Sequence, residues 1–145
     1  MFNFHPAFSN KIHIKDLSLS TVFLEDEQHY PWLILVPRKE NLSNLLDMEK
    51  EDQLQLLEEL SFSQHILKDL FNPTQLNVAA IGNKTPQLHI HVIARFESDP
   101  AWPQTVWDHP VRKPYPEEEK KRIIEALTVA FQEEKDDADN IMNLV

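Results

Sequence analysis

The residues best placed to do chemistry are Gln87, His89 and His91, which alternate with Leu88, Ile90 and Val92. Residues two apart on a β-strand point the same way, about 7 Å between successive same-face positions. A strand here would hold two imidazoles and a carboxamide in a rigid row, with the aliphatic residues burying the opposite face. Three readings are open. In the first, two surface histidines simply alternate on a half-exposed strand. In the second, the row binds metal, since neutral imidazoles two apart on a strand ligate zinc or iron. That reading needs a third ligand, and His5, His13, His29, His65 and His109 stand at no recognisable ligand spacing. In the third, the row acts on phosphorus. A neutral imidazole attacks without a separate base if a fixed acceptor orients one nitrogen, and neighbouring donors stabilise the phosphoryl oxygens as charge builds.

Composition removes most competing chemistries. The chain has no cysteine, so a disulfide framework, a thiolate zinc site and a cysteine nucleophile are excluded. One glycine against ten prolines leaves no Gly-rich phosphate loop. Fourteen basic against 24 acidic residues, a net charge of −10, argue against a groove that tracks nucleic acid. The 145 residues are one ordinary domain that needs no staple. No apolar run nears the roughly 20 residues of a membrane span, and Met1–Asn10 lacks a signal-peptide layout. The expectation is a cytoplasmic protein with no membrane and no nucleic-acid partner.

The elements that must position the row follow from hydrophobic pattern. Leu17–Leu24 reads as a strand, and Glu25–Tyr30 as an acidic turn. Trp32–Val36, closed by Pro37, reads as a strand buried on both faces and paired with the first as a hairpin. Asp47 is the expected N-cap of a helix from about Met48 to Phe71, stopped by Asn72-Pro73. Gln75–Ile81 and Leu88–Phe96 are the next strands, separated by a turn at Gly82-Asn83. Ser98–Pro114 reads as ordered coil pinned by Trp102 and Trp107, and Pro116–Gln132 as a last helix with Ile123, Ile124, Leu127 and Phe131 inward. Glu133–Asp139, with five acids and one lysine, is expected to be frayed and solvated. The fold class is therefore α+β, a mainly antiparallel sheet with helices on one face. A single domain over residues 1–135 and an acidic tail over 136–145 are expected.

The segment Pro86-Gln87-Leu88-His89-Ile90-His91-Val92-Ile93-Ala94-Arg95, preceded by Gly82-Asn83, resembles the signature of the histidine-triad (HIT) family: three histidines alternating with aliphatics. The order of elements is similar too, over about Leu17 to Trp107. Asp99-Pro100-Ala101-Trp102-Pro103-Gln104-Thr105-Val106-Trp107 looks like a bacterial subgroup of diadenosine tetraphosphate hydrolase-like members. The resemblance implies a nucleotide hydrolase or nucleotidyl transferase. His89, at the middle triad position, would attack the α-phosphorus of a nucleotide anhydride, ester or phosphoramidate and form a nucleotidyl-histidine. His91 would contact the phosphate and help the leaving group.

Gln87 replaces the first histidine. It can donate to a phosphoryl oxygen but cannot become cationic. On this reading Gln87→His should speed the reaction. A related branch, the nucleotidyl transferases, also places glutamine beside the nucleophile, at the last position. Trp32 stands where the family often has a histidine, either as a core aromatic or as a wall of the nucleotide pocket. Asn83 is the implied phosphate contact. Asp26, within the run Glu25-Asp26-Glu27, is the implied ribose-binding acid. Arg95 is read as pairing with an acid, and Trp102 and Trp107 as structural. A homodimer and a small-molecule nucleotide are the implied partners, with no cofactor and no metal. A nucleotide-binding module without efficient turnover is the alternative.

Overall fold

The computed structural model describes the backbone of residues 1–143 and the side chains through Gln132. Five strands form one antiparallel sheet: β1 (Ile12–Asp16), β2 (Ser20–Leu24), β3 (Trp32–Pro37), β4 (Gln75–Ala79) and β5 (Ile90–Arg95). Their order across the sheet is β1-β2-β3-β5-β4. Helix α1 (Lys50–Phe71) connects β3 to β4, and helix α2 (Glu117–Asn143) follows β5 after a long irregular segment. The expected α+β class and the β2–β3 hairpin are both present. No helix among the described residues is long and apolar enough to cross a membrane.

Strand alternation sorts the side chains onto two faces. Val22, Leu24, Leu33, Leu35, Val92 and Ala94 pack against Ile66 and Leu67 of α1 and Ile123, Leu127 and Phe131 of α2. Each of these side chains except Ala94 contributes roughly 1.5–3 kcal/mol on burial. The opposite face carries Phe23, Trp32, Ile34, Val36 and Ile93, covered by Phe8, Tyr30, Ala101 and Val106 from segments without α-helix. His91 and Ile93 belong to this second face, and β5 is an interior strand, with Ile34 of β3 and Ala79 of β4 flanking His91.

The strand β4 ends at Ala79, two residues before the expected Ile81, and β5 begins at Ile90, two after the expected Leu88. Four larger differences stand beside these. The expected strand over 17–24 begins only at Ser20, because the buried carboxylate of Glu59 accepts the backbone N–H groups of Leu19 and Ser20 at 2.8 and 2.9 Å and fixes a turn there. The strand β1 before that turn has only Ile12 and Ile14 as an apolar face and a register shift between His13 and Lys15, so its signal is short. Asp47 does not cap α1. It closes a 3-10 turn over Leu45–Asp47 by accepting from the Ser43 and Asn44 backbone, and Glu49 is the N-cap. The helix α2 runs beyond Gln132 to Asn143, with no proline or glycine after Pro116 to stop it. The side chains of the expected acidic tail, residues 136–145, lie outside the described residues. The stop of α1 is as read: Asn72 adopts a left-handed conformation with its N–H on the Lys68 carbonyl at 2.9 Å.

Candidate active site

His89 immediately precedes β5 and His91 lies within it, both on the face away from the helices. Their rings meet edge to face with centroids 5.0 Å apart. Each imidazole is fixed by a partner of one hydrogen-bonding character. His89 Nδ1 lies 2.8 Å from the backbone carbonyl of Gln87, which can only accept. The proton of neutral His89 is therefore on Nδ1, and Nε2 carries the lone pair. His91 Nδ1 receives the indole Nε1–H of Trp32 at 2.9 Å, and an indole can only donate. Neutral His91 therefore carries its proton on Nε2. Burial, with smaller contributions from His89 and Lys11, pulls the His91 pKa down to about 3, so it is neutral at pH 7. The two rings thus offer complementary Nε2 atoms: one nucleophilic lone pair and one N–H donor.

These rings form the floor of a cleft of about 590 Å³. Trp32 and Ile34 continue the floor, and Phe8, Trp107 and the Asn83-Lys84-Thr85 turn form the sides. Trp107 stands edge-on to both His91 and Trp32, with centroids 5.0 and 5.7 Å apart. The Arg112 guanidinium lies over the Trp32 ring at 5.1 Å and is steadied by the His109 carbonyl at 2.8 Å. Lys11, Lys84 and Arg112 line the same cleft, and Glu25 is its acid, paired with Lys11. A chain of net charge −10 has gathered three cations against one carboxylate around two imidazoles, a net positive lining that suits an anion.

The structure brings together His89, His91, Asn83 and Trp32. Trp32 is both core and cleft wall: it is 3% exposed, yet its N–H sets the tautomer of a site histidine. Asp26 is placed elsewhere. Its carboxylate accepts the Tyr115 N–H at 2.9 Å and pairs with Lys120 at 2.8 Å, so it ties the hairpin turn to α2, while its neighbour Glu25 faces the cleft. Gln87 also does not line the cleft. Its Oε1 accepts the His5 N–H at 2.8 Å and its Nε2 donates to the Asn3 carbonyl at 3.0 Å. The chain bends at Gln87, ahead of the strand that begins at Ile90, so the three-residue row is broken at its first member.

Sequence reading missed Phe8, Lys11, Lys84, Arg112 and the site role of Trp107. Only Lys84, next to the Gly82-Asn83 turn, carried a local signal. The others arrive from segments remote in sequence. Arg95 does pair with an acid: its Nε and Nη2 donate to Asp99 at 2.8 and 3.0 Å, and Nη1 donates to Asn77 at 2.9 Å. Among the described residues no three His, Asp or Glu side chains converge as a metal-ligand group. His13 pairs instead with Asp16, and His29 with Glu27.

This sheet, with paired imidazoles at the start of its interior strand β5, defines a HIT domain. The HIT domain pattern matches residues 9–98, and the chain belongs to that family. A histidine triad protein from Bradyrhizobium japonicum is 38% identical, with a TM-score of 0.84 over 87% of this chain and 95% of that one. One from Marinobacter aquaeolei is 34% identical, with a TM-score of 0.86 over 92% and 98%. One from Sinorhizobium meliloti is 33% identical, with a TM-score of 0.85 over 89% and 96%. No curated protein matches the chain.

Proposed function

We propose that the chain is a nucleotide hydrolase or nucleotidyl transferase that works through a covalent nucleotidyl-histidine on His89. The observation that carries this reading is the opposed tautomer pair, His89 with a free Nε2 lone pair and His91 with an Nε2–H, at the floor of a cation-lined cleft. The His89 Nε2 lone pair attacks the α-phosphorus. A P–N bond forms as the bond from phosphorus to the leaving group breaks, and the leaving group departs with the electron pair. The Gln87 carbonyl, accepting from Nδ1–H, stabilises the positive charge that the ring acquires. His91 Nε2–H donates to a phosphoryl or leaving-group oxygen. Water then attacks phosphorus and loses a proton to solvent, the P–N bond breaks with its electron pair returning to Nε2, and neutral His89 is restored. Asn83 and Lys84 contact the phosphates, Glu25 the ribose hydroxyls, and Phe8, Trp32 and Trp107 enclose the nucleoside. The cations suit a polyphosphate leaving group, in keeping with a diadenosine polyphosphate-type substrate in the cytoplasm.

The test is intact-protein mass spectrometry after mixing with an adenosine phosphoramidate or diadenosine tetraphosphate. Wild type should gain one nucleotidyl group, and His89→Asn should bind adenylate but gain nothing. An adduct that survives in His89→Asn moves the nucleophile elsewhere. Binding without an adduct in wild type assigns the chain to the alternative, a nucleotide-binding module without turnover.

We also propose that two copies pair through β4. It is a sheet edge in regular register, with Val78 exposed on it and Ile81 exposed just beyond it, whereas the other edge, β1, is blunted by a register shift. Light scattering should give a dimer mass, and Val78→Lys should shift it towards the monomer.

A further inference from the structure

The Gln87 amide is engaged at both ends with the backbone of residues 3–5, far away in sequence. Those residues lead into a 3-10 turn over Pro6–Phe8, capped by His5 Nδ1 on the Ala7 N–H at 3.0 Å. The turn delivers Phe8 edge-on to His89, with ring centroids 5.2 Å apart, and Phe8 is 5% exposed. Phe8 also stacks on Phe23 at 6.1 Å, and Phe4 meets Phe23 at 5.3 Å. The side chain two residues before His89 thus reaches neither cleft wall nor floor. It acts on the segment that supplies a wall.

We propose that Gln87 is a positioning residue: its carboxamide latches residues 3–5, so that Phe8 is held as the wall of the cleft against His89. The proposal rests on the nucleotide reading above for its functional meaning, and on geometry alone for the latch. A carboxamide suits the task because one planar group presents an acceptor to the His5 N–H and a donor to the Asn3 carbonyl. An imidazole at this position sets one nitrogen an atom nearer the backbone and cannot span both partners. The gain expected for Gln87→His from the triad resemblance therefore becomes a loss.

The experiment measures how fast diethyl pyrocarbonate acylates His89 in the unliganded protein, resolved by peptide mass spectrometry. Wild type, Gln87→Met, Phe8→Ala and the double variant are compared. Gln87→Met keeps length and loses both hydrogen bonds. Gln87→Met should expose His89 and raise its acylation roughly fivefold, the scale of one or two lost hydrogen bonds, and Phe8→Ala should raise it at least as much. The double variant should react no faster than Phe8→Ala, because the latch acts through that wall. Gln87→Glu, which keeps the acceptor for His5 and loses the donor to Asn3, should lie between wild type and Gln87→Met and serves if the methionine variant does not fold. An unchanged rate in the Gln87 variants, or single effects that multiply in the double variant, overturns the proposal. Kinetics on the nucleotide probe supply a second reading. A latch raises KM and spares kcat, whereas slower adduct formation at saturating probe with unchanged His89 acylation makes Gln87 a direct phosphoryl donor and also overturns it. If wild type binds no adenylate, the nucleotide reading falls while the acylation rates still decide the latch.

Discussion

On the helix-covered face, aliphatic side chains from four strands meet two long helices, and its buried polar side chains, Glu59 and Ser63 of α1, are bonded to backbone. On the other face, four of the nine buried apolar side chains are aromatic, and two histidines sit among them. No α-helix covers that face. Residues 2–8 and the segment after β5 do so, and both are tied down by specific polar contacts. Gln87 holds the first, and Asp99 holds the second. Asp99 accepts from Arg95 and from the backbone N–H groups of Phe96, Ala101 and Trp102. Burial alone would raise the Asp99 pKa, but the Arg95 hydrogen bonds and these backbone donors bring it below the usual carboxylate value. The difference teaches how a small fold separates tasks. One face is stabilised by area, which is tolerant of detail, and the other by a few directional contacts that also aim the imidazoles.

The largest expected effect breaks the polar side of this comparison. Asp99→Asn leaves Arg95 buried without its counter-charge and should destabilise the fold by about 3–5 kcal/mol, read by urea denaturation. A loss below about 1 kcal/mol would mean that the segment after β5 is held by its aromatics instead. Next comes the apolar side. Leu67→Ala should lower stability by about 2–5 kcal/mol while leaving adduct formation on folded protein unchanged. A changed rate would couple the two faces.

A subtler effect comes from His91. In the unfolded chain its ring takes a proton near pH 6.5, but in the fold only at about 3. Between those values the unfolded chain binds more protons, so stability present above pH 6.5 is lost as pH falls. His91→Gln, which can still accept from Trp32, should flatten the stability profile over that window. An unaltered slope would assign the acid sensitivity to other groups. The smallest effect on stability is expected for Trp107→Ala. Its side chain is 37% exposed, so the melt should move by less than about 1 kcal/mol, while adenylate affinity falls. Unweakened affinity would remove Trp107 from the binding surface.

The helix-covered face was the more legible in sequence, because it is written in periodicity. Leu67, Leu127 and Phe131 recur at helical spacing, and Val92 and Ala94 alternate on a strand, so pattern alone orients them. The site face was half legible. His89 and His91 stand two apart and do share a face. Gln87 shares their spacing but not their surroundings, since the chain bends at Gln87 ahead of the strand. Glu25 and Asp26 differ by one residue on a turn, where no period predicts which carboxylate looks inward. Lys11, Arg112 and Phe8 reach the cleft from segments with no regular pattern at all. What assembles them is tertiary: the Glu59 turn, the Asp99 knot and the Gln87 amide, each a contact spanning the fold or a loop that no local rule announces.

The hydrogen bond from Trp32 to His91 has an optical consequence. Of the three tryptophans, Trp32 and Trp107 both lie within 6 Å of the His91 ring, and Trp102 lies apart, near the Arg95 guanidinium at 5.8 Å. Indole emission is sensitive to the charge and polarity of its hydrogen-bonded partner. On the proposed nucleotide reading, arrival of a phosphate beside His91, like a change in that ring's protonation, should alter the light emitted by two of the three fluorophores, so that the unlabelled chain reports its own site in real time.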